Sequence, residues 1–236
     1  MKKPNFSELI LLETPDYIVV NKPPFLASLD DRNDSWNVLR LARAYEPDAQ
    51  LCHRLDKDTS GVLVIARHSD AYRNVAVQLE HRRVMKEYHA VSEGTHDFRE
   101  VYIDLSLRTA SNGQVRADKK GKPALTVAHT RAAYRKHTLV SCFPVTGRMH
   151  QIRVHLAAMQ APILGDETYG GSPLYLSALK RNFNLKKGTE EQPLIKRFAL
   201  HAWRINFEDL NGKLIEIEAP YPKDFTVLLK QLNKFS

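Results

Sequence analysis

A chain of 236 residues with 43% hydrophobic and 26% charged side chains can bury a core of its own, as one large domain or two small ones. Its longest apolar runs, such as Val62 to Ala66, are only a few residues and exclude a helix that spans a membrane. The 35 Lys and Arg against 27 Asp and Glu leave a formal charge of +8 and a pI near 9.4, a field that favours polyanions, nucleic acid first. Lys2 and Lys3 imitate the start of a signal peptide. Glu8 and Glu13 bracket the short run Leu9 to Leu12, however, so no h-region follows and a cytoplasmic protein is expected. Cys52 and Cys142 lack C-x-x-C or zinc spacing and read as reduced core residues. Cys52 adjoins His53, but neighbours on an extended chain point to opposite faces, which argues against a thiolate pair.

In chain order, Leu9 to Glu13 and Tyr17 to Asn21 read as strands around Thr14-Pro15-Asp16. Lys22-Pro23-Pro24 ends the second, because two prolines cannot continue a ladder. Ser35 is the expected cap of a helix over Trp36 to Tyr45, with Val38, Leu39 and Ala42 as its buried stripe. A polar turn around Asp56 then runs into Val62 to Ala66, short and β-branched like a buried strand. Ser69 or Asp70 should cap a helix reaching about Arg83, with Val75, Ala76 and Leu79 at helical spacing. Met85 to Val91 and Val101 to Leu107 are expected strands, and Thr109 to Pro123 a loop or hairpin. Thr126 to Tyr134 and Thr138 to Phe143 should pair across Arg135-Lys136-His137. Thr146 is the expected cap of a helix from Arg148 to Met159. Its stripe is Met149, Ile152, Leu156 and Met159, with Arg153 on the shoulder.

Residues 180–197 are polar and basic and read as an exposed connection. Its Lys180, Arg181, Lys186, Lys187, Lys196 and Arg197 suit either a phosphate grip or a solvated loop. Phe198 to Phe207 and Leu214 to Glu218 form a hairpin turning at Asn211-Gly212, and Asp224 caps a last helix to about Asn233. Many strands with scattered helices imply an α+β fold: a mixed, mostly antiparallel sheet flanked by helices and loops. With no internal repeat or dividing linker, residues 1–236 read as one catalytic domain.

Three segments carry chemistry. In His53-Arg54-Leu55-Asp56-Lys57-Asp58-Thr59-Ser60-Gly61, one carboxylate between basic residues sits at the edge of a rigid strand, a mounting suited to a reactive group. The plain alternative is an Asp that closes a turn on nearby amides. In Lys86-Glu87-Tyr88-His89-Ala90, strand geometry puts Lys86, Tyr88 and Ala90 on one face. The third segment is Thr146-Gly147-Arg148-Met149-His150-Gln151-Ile152-Arg153-Val154-His155-Leu156, followed by Gly165-Asp166-Glu167-Thr168-Tyr169-Gly170. His150 and His155 lie about 140° apart at about 100° per residue, so they do not share the face that an i,i+4 zinc pair uses. Asp56 and Asp58 are too close in sequence to flank a sugar as glycosidase carboxylates do.

These segments resemble the HRLDxxTSG, KxYxA and TGRxHQIRxH motifs, the last extended by GDxxYG, of RluA-type RNA pseudouridine synthases. The resemblance runs from about Tyr17 to Phe207 and leaves no room for the small N-terminal RNA-binding domain of many relatives. It implies that Asp56 is the catalytic carboxylate, that Tyr88 packs on the target base and is placed to take part in proton transfer, and that Arg153 pairs with the carboxylate. It also implies that Arg54 fills the stack vacated when the uridine is turned out, and that Arg148 is placed for phosphate. His53, Thr59, His150 and Gln151 complete the expected substrate-binding set. No cofactor or metal is expected, the partner is structured RNA (tRNA or rRNA), and a monomer is expected. The competing reading is a catalytically idle RNA-binding or RNA-folding protein on the same domain. One departure stands out: Pro24-Phe25-Leu26-Ala27-Ser28 follows Asn21-Lys22-Pro23, where relatives often have Gly and then His in a less bulky turn.

Overall fold

The computed structural model describes residues 4–30, 36–185 and 188–236. The elements in order are β1 (Ile10–Glu13), β2 (Tyr17–Lys22), α1 (Val38–Tyr45), β3 (Gln50–Leu51), β4 (Ser60–Ala66), α2 (Ser69–Glu80), β5 (Met85–Glu93), β6 (Val101–Asp104), β7 (Leu107–Thr109), β8 (Val115–Ala117), β9 (Leu125–Ala133), β10 (His137–Pro144), α3 (Gln151–Ala158), α4 (Leu176–Leu179), β11 (Leu200–Glu208), β12 (Leu214–Glu218) and α5 (Lys223–Lys234). The fold is α+β with mostly antiparallel pairing, as expected. The chain forms two compact units, Met1–Tyr88 with His201–Tyr221 and His89–Leu200 with Pro222–Ser236.

The first unit is built on β4. Every residue of this strand is buried, because it is flanked by ladders and covered on both faces. β2 pairs with it antiparallel from Tyr17↔Ala66 to Lys22↔Gly61, and β11 pairs with it in parallel at His201↔Ser60 and Ala202↔Gly61. β1 and β12 extend the unit as antiparallel neighbours of β2 and β11. Tyr17, Ile18, Leu63, Ile65, Val38, Leu41, Val75 and Phe207 fill its core.

The helices of this unit depart from expectation at their starts. α1 is capped by Asn37, whose side chain accepts from Arg40 N at 2.9 Å, and Ser35 lies outside the described residues. Its buried stripe is Val38, Leu41 and Ala42 rather than Leu39, because i, i+3, i+4 positions share a face. α2 is capped by His68, not Ser69 or Asp70, and its buried residues are Ala71, Val75 and Gln78. It stops at Glu80, before Arg82 turns to φ 58°. The short strand β3 was too brief to announce itself in sequence.

The bulky turn after β2 has a measurable cost. Phe25 adopts φ 65°, in the left-handed region that favours glycine, and its side chain is 37% exposed. A Cβ there costs about 1–2 kcal/mol, against about 0.4–1 kcal/mol of extra unfolded-state entropy for a glycine. Losing the ring's partial burial costs about 1–2 kcal/mol, so Phe25→Gly is expected to lower the urea midpoint slightly, and a raised midpoint would show that the backbone strain outweighs the ring's contacts.

In the second unit β9 and β10 pair antiparallel, with a register shift between Leu139 and Val140, and β6 adds to β9. The segment expected as one strand from Val101 to Leu107 ends at Asp104. β7 then starts at Leu107 and forms a hairpin with β8 inside the polar stretch. Leu107, Val115 and Ala124 of this region pack on Val154 of α3, with Met149 and Tyr169 against them. Asp224 does not cap α5, whose N-cap is Pro222; its carboxylate binds Arg197 at 2.8 and 3.2 Å instead. Arg197 is thereby buried and is not part of an exposed connection, whereas Lys180, Arg181 and Lys196 are exposed. Lys186 and Lys187 lie outside the described residues.

Candidate active site

In the first unit the chain leaves β3 through Cys52-His53-Arg54-Leu55 and turns at Asp56 into β4. Both backbone groups of buried Leu55 bind one hydroxyl: Ser28 Oγ donates to Leu55 O at 2.7 Å and accepts from Leu55 N at 3.0 Å. One residue beyond Asp56, Lys57 O accepts from the ammonium of Lys22 at 3.0 Å. Lys22 is wholly buried and also donates to Pro23 O at 3.0 Å and Leu26 O at 2.8 Å. Thr59 N donates to Asp56 O at 3.1 Å and closes the turn through the backbone. Half-buried Asp56 is thus mounted on a segment held on both sides, as a reactive carboxylate requires.

The Thr59-Ser60-Gly61 triplet joins this turn to the core. Thr59 is buried, and Ser60 Oγ meets His201 Nδ1 at 2.9 Å while His201 Nε2 meets Ala219 O at 3.0 Å. A carbonyl only accepts, so the ring carries its proton on Nε2 and takes the Ser60 proton on Nδ1. Ser60 and His201 are wholly buried, which makes the pair a bolt between β4 and β11 rather than a nucleophile and its base. Gly61 has φ 117°, and a Cβ there would lie 2.1 Å from Ala202 O.

The remaining groups near this turn have shifted acidities. His53 Nε2 accepts from Val64 N at 3.2 Å, which requires a neutral ring; burial, with Lys86 adding to it, lowers its pKa to about 3. Burial lowers Lys86 to about 8. The Tyr88 hydroxyl is pushed up, first by burial and then by the negative charge of Asp56. That second cause ties Tyr88 electrostatically to Asp56. Arg54 is exposed on the turn.

In the second unit the Thr146–Leu156 motif builds a locked corner. Thr146 does not cap α3, which starts at Gln151 after His150 in a left-handed conformation, φ 53°. The Thr146 hydroxyl instead donates to Gln151 Oε1 at 2.7 Å and accepts from Leu125 N at 3.0 Å. Gln151 Oε1 also accepts from Arg148 N at 3.0 Å, and its Nε2 donates to Leu125 O and Thr126 Oγ1, both at 2.9 Å. This buried amide is committed to the protein. Arg148 is exposed, with its Nε on Pro123 O at 3.1 Å. His150 Nδ1 meets the Tyr169 hydroxyl at 2.8 Å.

Arg153 is 6% exposed, facing protein rather than water as its place beside the apolar stripe implied. Its Nε and Nη2 donate to the two oxygens of Asp166 at 2.6 and 2.8 Å. The guanidinium lies over the rings of Tyr169 and Phe198, 4.8 and 4.3 Å from their centroids. Phe198 in turn is fixed by its neighbour Arg197, which donates to Phe198 O and Leu200 O. Sequence reasoning assigned no role to Lys22, Ser28, Asp166, Tyr169 or Phe198. Asp166 and Tyr169 stood in the GDxxYG match, but the others act through contacts distant in sequence that leave no periodic trace.

Residues 16–158 match the family described as RNA pseudouridylate synthase. The chain belongs to that family. The synthase is 36% identical to ribosomal large subunit pseudouridine synthase C of Buchnera aphidicola subsp. Baizongia pistaciae, over 96% of this chain and 71% of that protein. It is 34% identical to ribosomal large subunit pseudouridine synthase D of Haemophilus ducreyi, over 95% and 70% respectively. Among solved structures, human RNA Pseudouridylate Synthase Domain Containing 4 matches with a TM-score of 0.71 and 26% identity, over 97% of this chain and 94% of that one. The synthase therefore acts on RNA and isomerises uridine to pseudouridine. Among its described residues no helix is long and apolar enough to cross a membrane.

Proposed function

We propose that this synthase modifies uridines of large-subunit ribosomal RNA, as one cytoplasmic, monomeric catalytic domain with Asp56 as its reactive carboxylate. The observation that carries the reading is the mounting of Asp56 on a turn fixed by Ser28, Lys22 and Thr59, with its charge acting on Tyr88. The RNA class is taken from relatives named for the large ribosomal subunit.

The reaction breaks the bond between uridine N1 and C1′, turns the base, joins C5 to C1′, and finally releases the C5 proton while N1 takes one up, so the composition is unchanged. Base and sugar stay together throughout, so the site must hold a flipped uridine without any group added or removed. Asp56 acts as nucleophile or base in the bond exchange. Tyr88, its hydroxyl kept protonated by burial and by Asp56, packs its ring on the base. Arg153 supplies a positive charge to the reaction, which a guanidinium retains even when buried and paired with Asp166. Exposed Arg54 takes the place of the extruded base, and exposed Arg148 meets phosphate.

Tritium release from transcripts labelled at uridine C5 tests the function directly, because C5 loses its hydrogen only when the sugar takes that position. Release from large-subunit rRNA fragments and not from tRNA is expected. Release from tRNA alone would overturn the RNA assignment, and binding without release on any RNA would leave an idle binder. Arg153→Lys tests the second residue: an ammonium cannot reproduce the two-pronged grip on Asp166 or lie flat between two rings. Its kcat is expected to fall about 100-fold with RNA affinity nearly kept. An unchanged kcat would remove Arg153 from the mechanism.

A further inference from the structure

The loop after α3 is constructed around one carboxylate. Asp166 is 1% exposed, and its backbone is bonded three times: its N donates to Ile163 O at 2.9 Å, and its O accepts from Tyr169 N at 3.0 Å and Gly171 N at 2.9 Å. Gly165 and Gly170 take φ 77° and 93°, and a Cβ on Gly171 would lie 1.9 Å from Ile163 O. Such a tight loop fixes the Asp166 main chain, and its carboxylate ends on the Nε–Nη2 edge of Arg153.

We propose that Asp166 is a positioning residue for the isomerisation, acting through Arg153, whose orientation it fixes. The inference rests on the catalytic role given to Arg153 above. Burial of a lone guanidinium is costly, and a long flexible side chain has many rotamers to lose. Asp166 offsets the burial with two charge-assisted bonds and fixes the plane of the group. Tyr169 and Phe198 remove the remaining rotation by lying against its faces. Tyr169 is itself fixed, since its hydroxyl accepts from Val115 N at 3.1 Å and meets His150 Nδ1 at 2.8 Å. The cradle is thus complete before RNA arrives, and Arg153 has no reorganisation to undergo during the reaction.

The test is a double-mutant cycle read in single-turnover rates and RNA affinities, for wild type, Asp166→Asn, Arg153→Lys and the double variant, each shown to be folded by its melting curve. Asp166→Asn keeps the size of the side chain and removes its charge and one of its two acceptor oxygens. Its rate is expected to fall about 100-fold with affinity unchanged. In the Arg153→Lys background the same substitution should cost nothing further, because the group it acts through is already gone. Equal losses in both backgrounds, or no loss in either, would overturn the positioning role. Full rate in Arg153→Lys alone would overturn the assignment of Arg153 instead, so the two failures are distinguishable. If Asp166→Asn does not fold, Asp166→Glu takes its place, since it keeps the charge and displaces the carboxylate by one methylene. A folded Asp166→Glu variant with the wild-type rate would overturn the inference equally.

Discussion

Asp56→Asn is expected to abolish turnover, by about 10⁴-fold or more, while RNA binding survives. Asn has the shape of Asp but can neither form the covalent bond nor take the proton, whichever of those the carboxylate does. The turn should hold its form, because its closing bonds run through the backbone of Leu55, Asp56 and Lys57 and through the Ser28 and Lys22 side chains. Tritium release and filter binding measured on the same rRNA transcript separate the two effects. Substantial release by Asp56→Asn would show that another group runs the reaction. Loss of binding in step with activity would show that the residue serves the grip on RNA instead.

Gly61→Ala is expected to be the most damaging conservative change to stability, at about 4 kcal/mol from positive φ and overpacking together. The added methyl would meet the backbone oxygen of Ala202, which cannot swing away as a side chain can. To make room, β11 would have to draw back from β4 at the pairs His201↔Ser60 and Ala202↔Gly61, and the Ser60–His201 bond would lengthen with them. A fall of about 10 °C in Tm follows for a chain of this size. Activity should be lost below that temperature too, because Gly61 lies five residues after Asp56 on the strand that mounts it. A Tm close to wild type would mean that the two strands part without cost.

The parts of this molecule that sequence announces are those whose signal is local. β4 could be read because a short β-branched run is buried on both faces. The hairpin of β11 and β12 could be read because Asn211-Gly212 favours the turn, and Gly212 indeed takes φ 76°. Two of the cap expectations failed for one reason: a polar residue ahead of a helix can have a stronger partner elsewhere. Thr146 is taken by Gln151 and Leu125, and Asp224 by Arg197. The site divides the same way. The Asp56, Tyr88 and Arg153 segments were visible as motifs, and the charge of Asp56 does act on Tyr88. The groups that hold them were not, since Ser28 meets Leu55 and Lys22 meets Lys57 across spans of chain that no periodicity encodes. The burial of Arg153 agrees with a place beside the apolar stripe facing protein, but its carboxylate partner Asp166, 13 residues on, leaves no periodic trace.

The buried ammonium of Lys22 has a consequence for how this protein can vary. Its partners at Pro23, Leu26 and Lys57 are all main-chain oxygens, which every amino acid carries. Side chains along that rim can therefore be exchanged without removing a single one of those three bonds, so long as the backbone keeps its course. Phe25 on this rim takes a backbone angle that suits glycine better, and the Lys22 bonds to its neighbours Pro23 and Leu26 are made all the same. Substitutions of side chains along that rim are thus expected to leave the main-chain seat of the ammonium, and with it the course of the turn through Asp56, where they are.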